Sequence, residues 1–469
     1  MARVVVVGGG VVGLCGALLL GFDGHEVTVL ERDPAPPPEP DAAWDGWERR
    51  SVNQFRMLHI FQPRFRQLLA DNAPDVVRAL IDAGALRMNP FRDLHPLLTG
   101  GFRDADARYD TLTARRPLVE ATIARIVETA EHVTVRRGVV VAGLVTGDPV
   151  TNGIPHVIGV RTDRGEVVLG DIVIEAGGRR SMLPSFLERI GARSPIEEKE
   201  DCGFVYYARH FRSDDGSVPR PAGPFEMAYE SVSLLTLPAD NGTWGVGVVT
   251  STRDTALRRL KNADVWTRVV GSYPLAAHWL DGEPFEDGIA VMAKIEDRHR
   301  TFVIDGQPVA TGVLALSDSW ACSNPSFGRG ITLGAIHAVA LRDLLHDAPN
   351  DPMELACRWH DATMATVEPW YRDTLAYDDA RLEHIHAEID GREFQPSPEY
   401  EITEALQIAA SKDPDMLRCA LEISGVLTLR DEVLARPGVL ERILELGGGW
   451  RDRRLPGLTR PELLSIVAA

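Results

Sequence analysis

The chain is poor in cysteine. Its five thiols, Cys15, Cys202, Cys322, Cys357 and Cys419, are scattered through 469 residues with no Cys-x-x-Cys pair. That excludes a disulfide scaffold or a cysteine zinc site and suits a reducing cytoplasm, the expected location; no metal is expected. Basic charge is also short, with 50 Lys and Arg against 68 Asp and Glu for a formal charge of −18. Such a balance excludes non-specific nucleic-acid binding, which depends on neutralising phosphates. Long apolar runs are missing. Val4–Leu20 comes nearest, but it falls short of the ~20 residues of a span and is interrupted by glycines. No transmembrane segment is expected. Lysine does not occur before Lys199.

What is there begins at the first strand. Arg3–Val7 (RVVVV) is the β-branched run of a buried parallel strand. It is followed by Gly8-Gly9-Gly10-Val11-Val12-Gly13 and an Ala/Leu-rich helical segment, Leu14–Phe22. After the turn at Asp23-Gly24, His25–Leu30 reads as a second strand that ends in Glu31. This βαβ unit carries the fingerprint of an adenine dinucleotide. Gly8, Gly10 and Gly13 serve a tight turn, close approach of backbone to pyrophosphate, and helix-on-strand packing, with Val12 in the same loop. The helix N-terminus offers free N–H groups to the phosphates. Glu31, eighteen residues after Gly13, is placed to accept hydrogen bonds from the adenosine ribose. The acid favours FAD or NAD over NADP, although Arg32 beside it pulls the other way.

The chain is long for one core, so two or three lobes are expected. Ala35–Pro40 (APPPEP) is an exposed loop. Helical patterns follow at Arg64–Leu69, Val76–Ala83 and Arg115–Val127, the last with Pro117 in its first turn. Val133–Val141 and Glu166–Glu175 read as strands, separated by a turn region at Gly147–Gly153. Phe204–Phe211, Glu226–Leu237 and Thr243–Thr250 read as alternating strands of an inserted antiparallel sheet. From Asp351 onward helical patterns dominate, including Glu354–Ala376 and Arg381–Ile389. The expected divisions are 1–184 and 301–348 for a nucleotide-binding domain, 185–300 for a sheet domain, and 349–469 for a helical region. The fold class is therefore α/β: a Rossmann-like domain for FAD or NAD, an inserted antiparallel sheet and a helical C-terminal region.

Two further constellations carry chemistry. Val313–Leu316 is a buried strand ending in Ser317-Asp318, and a loop with Asn324-Pro325 and Gly328-Arg329-Gly330 opens the helix Ile331–Leu345. Asp318 can accept a hydrogen bond from a ribityl hydroxyl. Free N–H groups at Gly330 can face the flavin edge that becomes negative on reduction. A surface turn with a helix cap would look the same in isolation. Ile172–Ser181 (IVIEAGGRRS) runs from a buried strand into an acid and two glycines, an ordinary strand exit if taken alone.

In order and spacing these three signals match one group. Over roughly residues 1–345 the chain resembles the FAD-dependent monooxygenases that include para-hydroxybenzoate hydroxylase and squalene epoxidase. Within that group it looks most like bacterial epoxidases acting on polyene precursors of polyethers. Gln54, Arg56 and His59 match a Gln-x-Arg-x-x-His stretch, Arg116-Pro117-Leu118 an Arg-Pro-Leu helix start, and Tyr206, Arg209 and Phe211 the first strand of the substrate sheet. The resemblance implies that Asp318 holds the ribityl chain and that Arg56 and Arg116 lie along the FAD. It also implies that Pro325, Gly328 and Gly330 face the flavin. Ser317 stands where the group has glycine, Glu175 where it has aspartate, Gly177 where it has Thr or Ser, and Met182 where it often has arginine.

No second fingerprint follows Gly13, so electrons come from NAD(P)H entering an open groove or from reduced flavin supplied by a partner reductase. The resemblance implies that O2 is a co-substrate. One oxygen atom would pass, through a flavin C4a-hydroperoxide, to an apolar or aromatic small molecule by hydroxylation or epoxidation. No catalytic residue is singled out. The transfer zone is expected between Asn324–Gly330 and the sheet around Tyr206, Phe211 and Trp244, aromatics that simple sheet packing would equally explain. A flavin-dependent halogenase is disfavoured, because no lysine precedes Lys199 and Trp244-Gly245-Val246-Gly247 does not complete a Trp-x-Trp-x-Ile-Pro motif. An FAD-dependent reductase of substrate double bonds is the stronger competitor, and a flavin-binding module without catalysis the non-enzyme one.

Overall fold

β-branched runs with no polar alternation form strands buried on both faces, and here they assemble into one parallel sheet. From edge to edge its strands are Val313–Ala315, Ile172–Glu175, Arg3–Val7, Glu26–Glu31 and Val133–Arg137. The chain thus leaves this sheet after residue 175 and returns to it at residue 313. The computed structural model describes residues 1–151, 153–347, 351–452 and 454–469. The division expected at 348/349 lies outside them, as does residue 152 of the Gly147–Gly153 turn region.

Helices Val11–Phe22 and Gly330–His346 lie side by side on one face of the sheet. They approach closely because Gly334 leaves room: a Cβ there would lie 2.3 Å from Val12 Cγ2. Helix Arg116–Glu128 packs beside them, and its Leu118, Ala121, Ile123, Ala124 and Val127 belong to the same buried cluster.

The excursion from residue 204 forms an antiparallel sheet. Its order is Glu226–Ala228, Ser233–Pro238, Thr243–Ser251, Phe204–Arg212 and Glu283–Pro284, with Ala290–Met292 also pairing on Phe204–Arg212. The stretch Glu226–Leu237, expected as one strand, is a hairpin that turns at 229–232. Alternation along Phe204–Arg212 divides its residues between two faces. Val205, Tyr207 and Phe211 join Trp244, Trp266, Val269, Leu463 and Val467 under helices Ala263–Gly271 and Arg460–Ala468. Phe204, Tyr206 and Ala208 face the other way, toward helix Glu368–Asp390.

Three C-terminal helices begin with proline in the first turn, preceded by a capping side chain. Asp351, Ser397 and Asp413 accept the backbone N–H of Met353, Tyr400 and Asp415. The single helix expected over Glu354–Ala376 is two, Pro352–Thr366 and Glu368–Asp390. Pro369 explains the break: it has no N–H to continue the first helix and suits the first turn of the next. Among the described residues no helix is long and apolar enough to cross a membrane, and no group of three His, Cys, Asp or Glu could hold a metal ion.

Candidate active site

The end of strand Arg3–Val7 shows why glycine is required at two of the three fingerprint positions. Gly8 has φ +108°, and a Cβ on it would lie 2.5 Å from the carbonyl oxygen of Ala176. A Cβ on Gly13 would lie 2.2 Å from the Gly8 carbonyl oxygen. Gly10 differs. It caps helix Val11–Phe22 with no side-chain hydrogen bond, and a Cβ there would meet nothing within 4 Å. The unpaired N–H groups of the helix start therefore face open space, the arrangement that receives a phosphate.

Glu31 is buried at the next strand end. Its Oε2 accepts the Gly9 N–H at 2.8 Å and Arg49 Nη2 at 3.1 Å, and Oε1 accepts the Asp33 N–H at 2.7 Å. One lone pair of Oε1 remains for a ligand hydroxyl. Arg49, which the sequence did not single out, holds this corner. Burial disfavours its charge, but Glu120, Glu31 and Asp33 surround it and keep it ionised. Arg32 is exposed at the cavity rim.

Arg116 lines the cavity, bonded through Nε to Glu120 at 2.6 Å and through Nη1 to His59 Nε2 at 3.1 Å. His59 Nδ1–H donates to the Met57 carbonyl at 2.9 Å, leaving Nε2 as acceptor. Burial, then the neighbouring Arg116 charge, push the His59 imidazole down to about 3, so it is neutral. Arg56 is the exception among the expected residues. Its guanidinium donates twice to the Trp44 carbonyl, at 2.9 and 2.7 Å, and it is not part of the cavity wall. Arg49, seven residues earlier, reaches the corner formed by Gly9 and Glu31 instead.

At the other end of the cavity, strand Val313–Ala315 delivers Ser317 and Asp318. Ser317 takes φ +57°, a left-handed conformation that suits the glycine which the resemblance expects there. Its N–H donates to His337 Nδ1 at 3.0 Å. His337 Nε2–H meets Thr363 Oγ1 at 2.9 Å, and its ring stacks on Trp359 at 4.3 Å. Asp318 faces the cavity with Arg179 Nε 3.8 Å away. Pro325, Gly328 and Gly330 line the same wall. Gly328 has φ +62°, and a Cβ on Gly330 would meet nothing within 4 Å. Between the two ends Glu175 accepts the Gly177 N–H at 3.0 Å; burial pushes its carboxyl up to about 7.

One cavity of about 2490 Å³ joins these parts. Gly8, Gly10, Val12, Gly13, Glu31, Arg32, Arg116, Asp318, Pro325, Gly328 and Gly330 all line it. It continues past the Asn324–Gly330 loop between the antiparallel sheet and the C-terminal helices, where Tyr206, Leu235, Tyr377 and Tyr400 form walls. Of the three aromatics expected around the transfer zone only Tyr206 reaches it. Phe211 and Trp244 lie on the opposite sheet face, 6.1 Å apart and stacked, with Trp244 Nε1 donating to the Trp279 carbonyl. Sequence alternation separates position 206 from position 211 by an odd step, so the parity was available without coordinates. Asp378, which supports the loop from behind, sits in a Tyr-Asp-Asp-Ala run that reads as a solvated helix face.

No family model matches the chain. It is 27% identical over 485 aligned residues to Protein Rv3254 of Mycobacterium tuberculosis, covering 97% of each chain. Several solved structures share the fold of this chain. The flavoprotein/dehydrogenase from Cytophaga hutchinsonii superposes with TM-score 0.61 at 15% identity, covering 96% of this chain and 99% of that one. OxyS anhydrotetracycline hydroxylase from Streptomyces rimosus superposes with TM-score 0.58 at 20% identity, covering 91% and 76%.

Proposed function

We propose that this protein is an FAD-dependent monooxygenase that places one atom of O2 into an apolar or aromatic small molecule. The observation that carries the reading is the continuous cavity, which runs from the open helix N-terminus at Gly10 to Asp318 and the Gly328–Gly330 loop, then into a chamber walled by Tyr206, Leu235, Tyr377 and Tyr400. An extended dinucleotide fits the residues present. Gly10 leaves space at the helix start, Glu31 keeps one acceptor position, and Gly330 opens a second helix N-terminus. Glu31 would take the adenosine ribose, the helix start at Gly10 the pyrophosphate, and Asp318 a ribityl hydroxyl. The helix start at Gly330 would stabilise negative charge on the ring.

Bound FAD, once reduced, supplies the activation of oxygen. The chain's own part is to orient the ligand and exclude water. The sheet face at Tyr206 and the helix Glu368–Asp390 both line the chamber, and the 324–330 loop lies between it and the nucleotide half. The finer reading is oxygenation of an electron-rich alkene or ring, epoxidation of a polyene included. Reducing equivalents come from NAD(P)H at the open end or from flavin reduced by a partner enzyme.

The test is a stopped-flow experiment on FAD-loaded protein, reduced without oxygen and then mixed with O2. The expected result is a transient absorbance band that precedes return of the oxidised-flavin spectrum. Direct reoxidation with no such band, together with saturation of a substrate double bond under anaerobic conditions, overturns the proposal in favour of a double-bond reductase.

A further inference from the structure

We propose that Asp378, on helix Glu368–Asp390, is a positioning residue that fixes, through the side-chain amide of Asn324, how the Tyr206 hydroxyl presents itself to the cavity. This rests on reading the chamber beyond the loop as the substrate site. Tyr206 lines that chamber, and its O–H donates to Asn324 Oδ1 at 2.8 Å. The same Oδ1 receives a long contact from Cys202 Sγ at 3.7 Å. The other end of the amide, Asn324 Nδ2, donates to Asp378 Oδ2 at 3.3 Å. Ser326 Oγ donates to that oxygen as well, at 3.1 Å, and the Asn324 backbone N–H is held by Asp297 Oδ1 at 2.6 Å. Asn324 is 2% exposed and Asp378 3%, so solvent does not compete for these bonds.

An amide has one donor end and one acceptor end, and the group facing each decides its sense. Asp378 Oδ2 already takes two donors, whereas Oδ1 is buried with no partner. Burial pushes the Asp378 carboxyl well above its ordinary range, Asp297 and Glu226 add to the effect, and the bonds from Ser326 and Asn324 oppose it. A proton on Asp378 therefore belongs on the empty Oδ1, and Oδ2 stays an acceptor in either charge state. The NH2 of Asn324 must point at Asp378, its carbonyl at Tyr206, and the one phenolic proton of Tyr206 is engaged. The chamber beside the loop then sees only the lone pairs of that phenol oxygen. Such a contact selects a ligand with an O–H or N–H donor and gives nothing to an ether or a plain hydrocarbon.

The test is equilibrium binding of 2-naphthol and 2-methoxynaphthalene to protein loaded with oxidised FAD, followed by calorimetry. Wild type is expected to prefer the naphthol by about tenfold, the range of one hydrogen bond. Tyr206→Phe and Asp378→Leu should bring the ratio near one with FAD occupancy unchanged. Asp378→Asn, which keeps a carbonyl oxygen toward Asn324, should preserve it. If Asp378→Leu does not accumulate, Asp378→Ser, too short to hold the amide, reads the same ratio. Equal binding by wild type, a ratio unaltered in Asp378→Leu or Asp378→Ser, or its loss in Asp378→Asn overturns the inference. No oxygen chemistry enters this measurement, so its failure is distinguishable from failure of the oxygenase reading.

Discussion

Asp318 and Glu31 are both carboxylates proposed to touch the cofactor, yet their surroundings make them respond differently to removal. Among the described residues Asp318 has only a distant ion pair with Arg179, at 3.8 Å, so Asp318→Ala is expected to weaken FAD binding about tenfold while leaving apoprotein stability unchanged. Glu31 also satisfies two buried N–H groups and part of the Arg49 guanidinium. Glu31→Ala should weaken FAD binding and also destabilise the apoprotein by about 1–3 kcal/mol. Flavin titration and urea denaturation of each variant check the contrast. Equal stability losses in the two would place Asp318 in a structural role. Glu31 was legible from its distance to the fingerprint. Arg49 was not, because a single arginine outside any motif carries no sign of three carboxylates converging on it from residues 31, 33 and 120.

At the scale of elements, the strand–turn–helix pattern at the start and the Ser-Asp strand end near residue 317 were readable because local patterning and long-range pairing agree there. The two-helix arrangement around Pro369 was readable in principle and went unread because apolar spacing continues across the proline. Residues joining distant elements left no local trace. Arg115, ahead of helix Arg116–Glu128, is bound by Asp240 at a turn of the antiparallel sheet. Asp240 accepts the Arg115 backbone N–H at 2.6 Å and the guanidinium at 2.5 and 3.1 Å. Both side chains are buried. Asp240→Ala leaves a buried unpaired guanidinium and should cost about 3–5 kcal/mol in a urea unfolding experiment. A loss below ~1 kcal/mol, in the range of surface pairs, would show that water reaches this junction.

For the whole molecule the buried titrating groups oppose one another. His210 and His337 are both pushed down to about 3, by burial, with Arg115 adding to the effect at His210. Their unfolded forms bind protons below about pH 6.5 while the native forms do not, so each removes stability as pH falls from 6.5 to about 3. Glu175 and Asp297 are pushed up by burial, to about 7 and about 6. Their native forms bind protons first, so each adds stability as pH falls through those values, until the unfolded carboxyl also protonates near pH 4. His59 and His384 act with the first pair and Glu226 and Asp378 with the second, so these opposed groups largely cancel between about pH 4.5 and 6; below, the histidines and the carboxylates held low in the native state, Asp106 and Asp110 among them, remove stability. Unfolding free energy is expected to be level across that interval and to fall beneath it. Glu175→Gln removes one opposing group and should tilt the level region by about 1.4 kcal/mol per pH unit. An untilted profile in that variant would mean Glu175 is already ionised at pH 5.

The continuity of the cavity past the 324–330 loop has a kinetic outcome. A bulky guest seated against Tyr377 and Tyr400 would stand in the same corridor as the proposed FAD, with the bend at Pro325 between them. Occupancy at the far end should therefore slow escape at the near end, and a protein purified with its guest trapped should hold its yellow colour through dialysis longer than an empty one.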